Sequence, residues 1–223
     1  MPETQPRLTE QGDGITAIDT DLIRPMFDAS HLIIEGGRAA FVDCGVNDTV
    51  PLLLATLAAK GVDVAEVDYL FLTHVHLDHA GGAGALMQAL PNAKAVLHPR
   101  GAPHMVDPAK LIRGAMAVYG RDAYLEMYGD IVAIPEERVI VADDRQTFTF
   151  GGRTLQNFYT EGHARHHHCF ADPATGTFLT GDRFGVSYRE QVTEHGEFIF
   201  QTKTPVQFYP PEAHKSNDTN HEF

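Results

Sequence analysis

One short stretch, residues 71–82, constrains this chain more than any other. It reads FLTHVHLDHAGG and places His74, His76, Asp78 and His79 within six positions, directly after an apolar run. Imidazole nitrogens and a carboxylate are ligands that suit zinc, iron or manganese. Residues two apart in an extended segment point the same way, so His74 and His76 can face one point. The stretch predicts a metal-binding loop at a strand end rather than a polar loop with scattered histidines.

Two later stretches offer further metal ligands. YTEGHARHHHCF places His163 after a strand and a glycine, and FLTGDRFG places Asp182 at another strand end. Catalytic metals usually take ligands from several elements and keep one position open for water. Taken alone, His163 reads equally well as a surface histidine and Asp182 as a turn former. Together with the first stretch, they predict one site built from several strand ends.

Paired apolar runs predict three β-hairpins. HLIIEGGRAAFVDCG turns at Gly36-Gly37, QTFTFGGRTLQNFYT turns at Gly151-Gly152, and HHCFADPATGTFLTGD turns near 173–176. Glycine pairs between alternating or apolar runs are typical of hairpin turns.

Helical patterns lie between these strands. DTVPLLLATLAAKG reads as a helix with Pro51 in its first turn and Gly61 at its end, and GALMQAL as a second helix. Residues 108–128 carry helical spacing that breaks near Gly120. Hairpins that alternate with helices predict one α+β domain over 1–223, with two sheet layers flanked by helices. The segment at about 99–135 reads either as a helical lid over a substrate or as a packed helical layer.

The charge balance narrows the choice of partners and compartment. Lys and Arg total 17 and Asp and Glu total 30, which gives a formal net charge of −13. Such an acidic chain is not expected to bind nucleic acid or an anionic membrane.

Cys44 and Cys169 do not make a disulfide framework and are expected as small core residues. The polar N-terminus and the lack of an apolar stretch of ~18–20 residues predict a cytoplasmic protein.

The chain resembles the metallo-β-lactamase superfamily. The resemblance rests on THVHLDHAGG, EGHARHH and TGD, in that order, with LIIEGGRAAFVDCG upstream, and covers roughly residues 28–188. It implies a four-layer αββα sandwich with metals at one edge of the two sheets.

The resemblance also implies a ligand set. His74, His76 and His163 would bind the first metal, Asp78 and His79 the second, and Asp182 would bridge both. Two zinc ions per chain are expected, with iron or manganese as alternatives.

Two further residues are expected to contact the metal-binding side chains rather than the metal itself. Asp43 in FVDCG matches the family's acidic residue beneath the metal loop, where it would accept the second N–H of a metal-bound histidine. The alternative for Asp43 is a turn aspartate. Either His166 or His167 is expected nearby, and we favour His167.

Family members carry one more metal-binding histidine near the C-terminus. This chain offers only His195, His214 and His221 beyond Asp182: His195 lies in a predicted hairpin turn, His214 lies in the first turn of a predicted helix, and no strand pattern precedes His221. His221 is the candidate, on a tail that diverges from about residue 189. If it does not serve, the second metal site is incomplete.

These features predict a metal-dependent hydrolase that uses a metal-bound hydroxide on a small-molecule ester or lactone, with a thioester as second choice. Asp182 or Asp78 would carry the proton to the leaving group, and Tyr188 could help to hold the oxyanion. The alternatives are a mononuclear iron dioxygenase of the same fold, a β-lactamase, and a catalytically impaired member that lacks the last ligand. The expected partner is the substrate alone, without nucleic acid or membrane, and a homodimer is compatible with the sequence.

Overall fold

A seven-stranded sheet forms the centre of the protein. The computed structural model of the chain describes residues 5–183, 186–187, 194 and 199–200. The strands lie side by side in chain order: β1 (Leu8–Gly12), β2 (Ile15–Asp19), β3 (Ala29–Glu35), β4 (Arg38–Val42), β5 (Val67–Phe71), β6 (Lys94–Leu97) and β7 (Val139–Val141). The first four strands are antiparallel, and β4 to β7 run parallel.

A second, antiparallel sheet packs on the first. It contains β8 (Thr147–Phe150), β9 (Arg153–Tyr159), β10 (His168–Asp172) and β11 (Thr177–Leu179), in the order β11-β10-β9-β8. A separate pair joins β12 (Val186–Ser187) to β13 (Ile199–Phe200). All three predicted hairpins are confirmed: β3–β4, β8–β9 and β10–β11.

Six α-helices accompany the sheets in the described part of the chain. They are α1 (Val50–Ala59), α2 (Leu77–Ala80), α3 (Ala83–Ala89), α4 (Ala102–Val106), α5 (Ala109–Tyr119) and α6 (Arg121–Tyr128). The predicted break at Gly120 is confirmed, because its φ of 81° ends α5 and starts α6 in a new direction. None of the described helices has the length and apolar character needed to cross a membrane.

Side-chain alternation along β5 shows how the layers are joined. Leu70 points into a core with Leu53 of α1, whereas Phe71 points the other way, into the core between the sheets. There the Phe71 ring lies 4.8 Å from Phe170 and 5.5 Å from Phe148. A strand end covered on both faces needs apolar residues on both, which explains Leu70 and Phe71, whereas Asp68 nearer the start of β5 is partly exposed and pairs with Arg38. Both cysteines are buried without a disulfide, as expected.

The segment at about 99–135 forms a small core of its own. Leu77, Tyr124 and Ile131 are buried together, and α5 and α6 pack around them. Of the two alternatives, the segment therefore packs, in large part, as a helical layer. This layer lies against α2, which carries two residues of the expected metal loop.

Candidate metal centre

The expected ligands come together because several strands end at one edge of the sandwich. Parallel strands β4 and β5 deliver Asp43 and Thr73 side by side at their carboxyl ends. Gly181, just after β11, lies against Thr73, where a Cβ atom would be only 2.5 Å from the threonine hydroxyl. Its φ of 49° also favours glycine. A glycine is therefore required for Asp182 to reach the edge.

The first donor group contains three ring nitrogens. His76 Nδ1 lies 3.1 Å from His74 Nε2 and 3.0 Å from His163 Nε2, and all three atoms lie within 4.8 Å of one another. His74 and His163 are buried, and His76 is partly buried. The three nitrogens face one point, as imidazole ligands of a single ion do.

A hydrogen-bond chain orients the His74 ring. The Thr73 hydroxyl donates to Asp43 Oδ2 at 2.8 Å, so its oxygen is left to accept from His74 Nδ1 at 3.0 Å. That arrangement places the His74 proton on Nδ1 and leaves a lone pair on Nε2, which faces the first donor group. Thr73 therefore fixes a tautomer suited to metal binding, although the sequence analysis did not single it out.

The second donor group contains His79, Asp182 and the shared His74. His79 Nδ1 donates to Asp43 Oδ2 at 2.9 Å, and His79 Nε2 lies 3.1 Å from Asp182 Oδ1. The other carboxylate oxygen, Asp182 Oδ2, lies 3.4 Å from His163 Nε2. Asp182 thus belongs to the second group and also contacts the first. Asp43 supports both groups, because it accepts hydrogen bonds from His79 and from Thr73, the partner of His74.

The two groups differ in charge. Burial lowers the pKa of His74 and of His163, and it lowers the pKa of His76 to about 4. These rings are therefore neutral at pH 7 and keep free lone pairs. Burial alone would also lower the pKa of His79, but the neighbouring carboxylates, first Asp78 and then Asp43, raise it well above its ordinary value.

Asp182 remains ionised despite its burial. Burial would raise the pKa of its carboxyl group, but the hydrogen bond and charge of His79 hold that pKa well below its usual range. Three neutral imidazoles, a fourth histidine and an ionised carboxylate match the donor set of a divalent cation such as zinc. The residues present therefore fit a metal site.

Other expected site residues lie farther out. Asp78 has 41% of its side chain exposed, and its Oδ2 is 3.8 Å from His79 Nε2, outside both donor groups. His221, His195, His214 and Tyr188 lie outside the described residues. The additional C-terminal metal ligand that the resemblance implies, with His221 as its candidate, therefore stays a prediction.

The two candidates that the sequence left open, His166 and His167, both lie beside the centre. His167 is fully buried, with Nδ1 2.8 Å from Thr160 Oγ1 and its ring 5.0 Å from that of His74. His166 accepts a hydrogen bond from the Val75 N–H at 3.3 Å. The run of histidines signalled this cluster, but the sequence could not say which ring faces which way.

A groove with a volume of about 980 Å³ lies elsewhere, between β1, α1 and α6. Leu22, Leu52 and Met127 contribute to its walls, and none of the donor residues borders it. The chemistry of the donor groups, rather than the size of a cavity, identifies the candidate site.

Comparison with known protein families agrees with this fold. Residues 24–215 match the metallo-beta-lactamase superfamily, and the chain belongs to that superfamily. The predicted αββα sandwich is thereby confirmed. The crystal structure of the archaeal superfamily protein ST1585 superimposes with a TM-score of 0.74 at 24% identity, over 95% of this chain and 76% of that one.

Sequence relatives carry several different names. ST1585 from Sulfurisphaera tokodaii is 32% identical over 133 residues, which cover 57% of this chain and 50% of ST1585. An atrochrysone carboxyl ACP thioesterase from Aspergillus fumigatus is 30% identical over 69% of this chain and 38% of its own length. The N-acyl homoserine lactonase AttM from Agrobacterium fabrum is 27% identical over 72% and 62%. The chain thus spans half or less of the first two relatives.

Proposed function

We propose that the protein is a metal-dependent hydrolase that cleaves a small-molecule ester or lactone. One observation carries the proposal: two donor groups meet at one sheet edge and are linked by the ionised carboxylate of Asp182. Relatives named as a lactonase and as a thioesterase support acyl-group chemistry. The net charge of −13 supports a small substrate rather than nucleic acid.

In this proposal, His74, His76 and His163 hold one divalent ion, and His79 and Asp182 hold a second, with zinc as the expected metal. A bound ion of this kind would polarise the acyl group and lower the pKa of water toward about 7. The protein supplies position: Thr73 and Asp43 fix the ring orientations, and burial keeps the first three rings neutral.

The two carboxylates have different roles. Asp182 stays ionised because its pKa is held low, so it can accept a hydrogen bond from the attacking water but is a poor acid. Asp78 lies at the border of the site, where 41% of its side chain is exposed and its carboxylate is accessible from solvent. We therefore assign to Asp78 the transfer of a proton to the leaving alcohol.

A thioester is the second candidate substrate. The observation that favours it is the 30% identity to an atrochrysone carboxyl ACP thioesterase over 69% of this chain. A thiolate leaving group needs less proton transfer than an alkoxide, because a thiol is the stronger acid. Loss of Asp78 should therefore slow ester cleavage more than thioester cleavage.

A substrate panel tests the proposal. Metal-loaded protein would be assayed with p-nitrophenyl esters, an N-acyl homoserine lactone, an acyl thioester and nitrocefin, with and without chelator. We expect the protein to hydrolyse an ester or the lactone. Chelator should abolish this hydrolysis and added metal should restore it. The variant His76→Ala should show no hydrolysis under the same conditions. Faster turnover of nitrocefin than of every ester would favour a β-lactamase. Oxygen consumption with one iron per chain and no hydrolysis would favour the dioxygenase.

A further inference from the structure

His166 is held in one tautomer by the backbone. The Val75 N–H points at His166 Nδ1 at 3.3 Å, and a backbone N–H can only donate, so Nδ1 carries no proton. The single remaining proton therefore lies on Nε2.

That Nε2–H group has no acceptor among the residues that the structure describes. His166 is 8% exposed, so more than nine tenths of it is buried, and its ring stands 5.4 Å from that of His76, edge to face. It also lies parallel to the His74 ring at 6.2 Å. A donor that no described residue accepts from is available there to water or to a ligand.

Gly101 lets the chain pack closely against Val75 and His166. At Gly101 an added Cβ would lie 2.9 Å from Val75 Cγ1 and 3.6 Å from His166 Cβ, so the chain packs closely there. His167 Nδ1 lies 2.8 Å from Thr160 Oγ1, while its Nε2 is buried without a hydrogen-bond partner among the described residues, and His168 Nε2 donates to the Leu72 carbonyl at 2.7 Å. Of these three consecutive histidines, only His166 places its ring next to that of His76 in the described residues.

We propose that His166 Nε2–H donates a hydrogen bond to the acyl oxygen of the substrate, and so orients the acyl group at the centre. This assignment rests on the proposed function for the identity of its ligand, a carboxylic ester or the carboxylate product. The ring does not act as a base, since its one free nitrogen already carries the proton. Neither of the two donor groups in the described residues includes it.

Two substitutions separate the donor from the packing. His166→Asn retains an oxygen that can accept from the Val75 N–H but removes the donor at Nε2. His166→Gln places an amide N–H near the Nε2 position. We expect the asparagine variant to lose roughly 10- to 100-fold in kcat with little change in KM, and the glutamine variant to stay within about threefold of wild type, because donors to developing charge act mainly on kcat.

Two further readouts do not depend on turnover. Long-range 1H–15N NMR of the imidazole rings should show His166 protonated at Nε2 and unprotonated at Nδ1. Hexanoate, a carboxylate product analogue, should bind metal-loaded wild type and the glutamine variant similarly, and the asparagine variant about tenfold more weakly, by calorimetry. Metal content should be equal in all three, since His166 is not a donor.

Equal hexanoate affinity in wild type and His166→Asn would overturn the assignment, as would a ring protonated at Nδ1. Loss of metal from the asparagine variant would also overturn it, because His166 would then support the metal site itself. If wild type hydrolyses no ester, lactone or thioester, the proposed function fails. The hexanoate titration and the ring tautomer would still decide whether His166 is a donor to a bound carboxylate.

Discussion

The two donor groups share His74 and lie at the same sheet edge, yet they hold their histidines in opposite states. In the first group, burial keeps His76 and His163 neutral. In the second group, His79 is just as deeply buried, but the nearby carboxylates, first Asp78 and then Asp43 and Asp182, raise its pKa. The charges of nearby carboxylates thus outweigh the same burial that makes the neighbouring rings neutral.

This difference bears on how each group would take a metal. Ligands must be deprotonated to bind, so a site of neutral rings accepts an ion without releasing protons. The second group must first displace the proton on His79. We therefore expect the first group to bind metal more tightly at pH 7, and the second to depend on conditions.

The largest expected effect comes from breaking the first group. His76→Ala removes a nitrogen that only this group uses, so the tightest bound metal and the hydrolytic activity should both be lost, with activity at background. Metal per chain and kcat/KM are the measurements. His104→Ala, a histidine of α4 that belongs to neither donor group, is the matched control and should retain both. Full metal content and wild-type activity in His76→Ala would remove His76 from the site.

A smaller loss is expected from the residue beneath both groups. Asp43→Asn weakens the partner of His79 Nδ1 and of the Thr73 hydroxyl, and so loosens the rings without removing a donor. Changes of this kind cost roughly 10–100-fold in metal affinity or activity. The weaker metal should be affected more than the tighter one. Unchanged binding of both metals would reduce Asp43 to a turn former.

The pH dependence of metal binding should separate the groups further. Burial lowers the pKa of all three histidines of the first group, so its affinity should change little between about pH 7 and 8 and fall only at lower pH. The raised pKa of His79 means that affinity of the second group should increase with pH, by about tenfold per unit while one proton is displaced. Calorimetry in two buffers of different ionisation enthalpy measures the proton release. Equal proton release by both metals would contradict the comparison.

The smallest expected effect on metal affinity is that of Asp78→Asn. Its carboxylate is 41% exposed and 3.8 Å from His79 Nε2, and exposed ion pairs of this kind contribute about 0.2–1 kcal/mol. Affinity for the second metal should therefore fall only a few-fold, while kcat for an ester falls much more. A loss of the second metal as large as that in a His79→Ala variant would instead make Asp78 a ligand, as the family resemblance implies.

Much of the fold could be predicted from local patterns. The hairpins were readable because glycine pairs such as Gly151-Gly152, with φ of 57° and 99°, supply conformations that other residues rarely adopt. The N-terminal hairpin of β1 and β2 was not predicted. Most of β1 is exposed, and its sequence LTEQG is polar, so an edge strand held mainly by backbone pairing leaves little hydrophobic pattern.

The candidate site was predictable in its members but not in its fine structure. Ligand types and spacing indicated His74, His76, His79, His163 and Asp182, and these lie together in the two donor groups. The role of Thr73 depends on a hydrogen-bond chain that spans two strands, and the orientation of His166 depends on one backbone N–H. Such contacts arise from tertiary packing, so no periodicity in the sequence encodes them.

X-ray absorption of the protein loaded with one equivalent of zinc tests the central claim most directly, that His74, His76 and His163 together bind the first metal. The account predicts a light-atom shell at about 2.0–2.1 Å with the multiple-scattering signal of three imidazoles, which falls to two in His163→Ala. A shell dominated by oxygen, or an imidazole count that His163→Ala leaves unchanged, would contradict it.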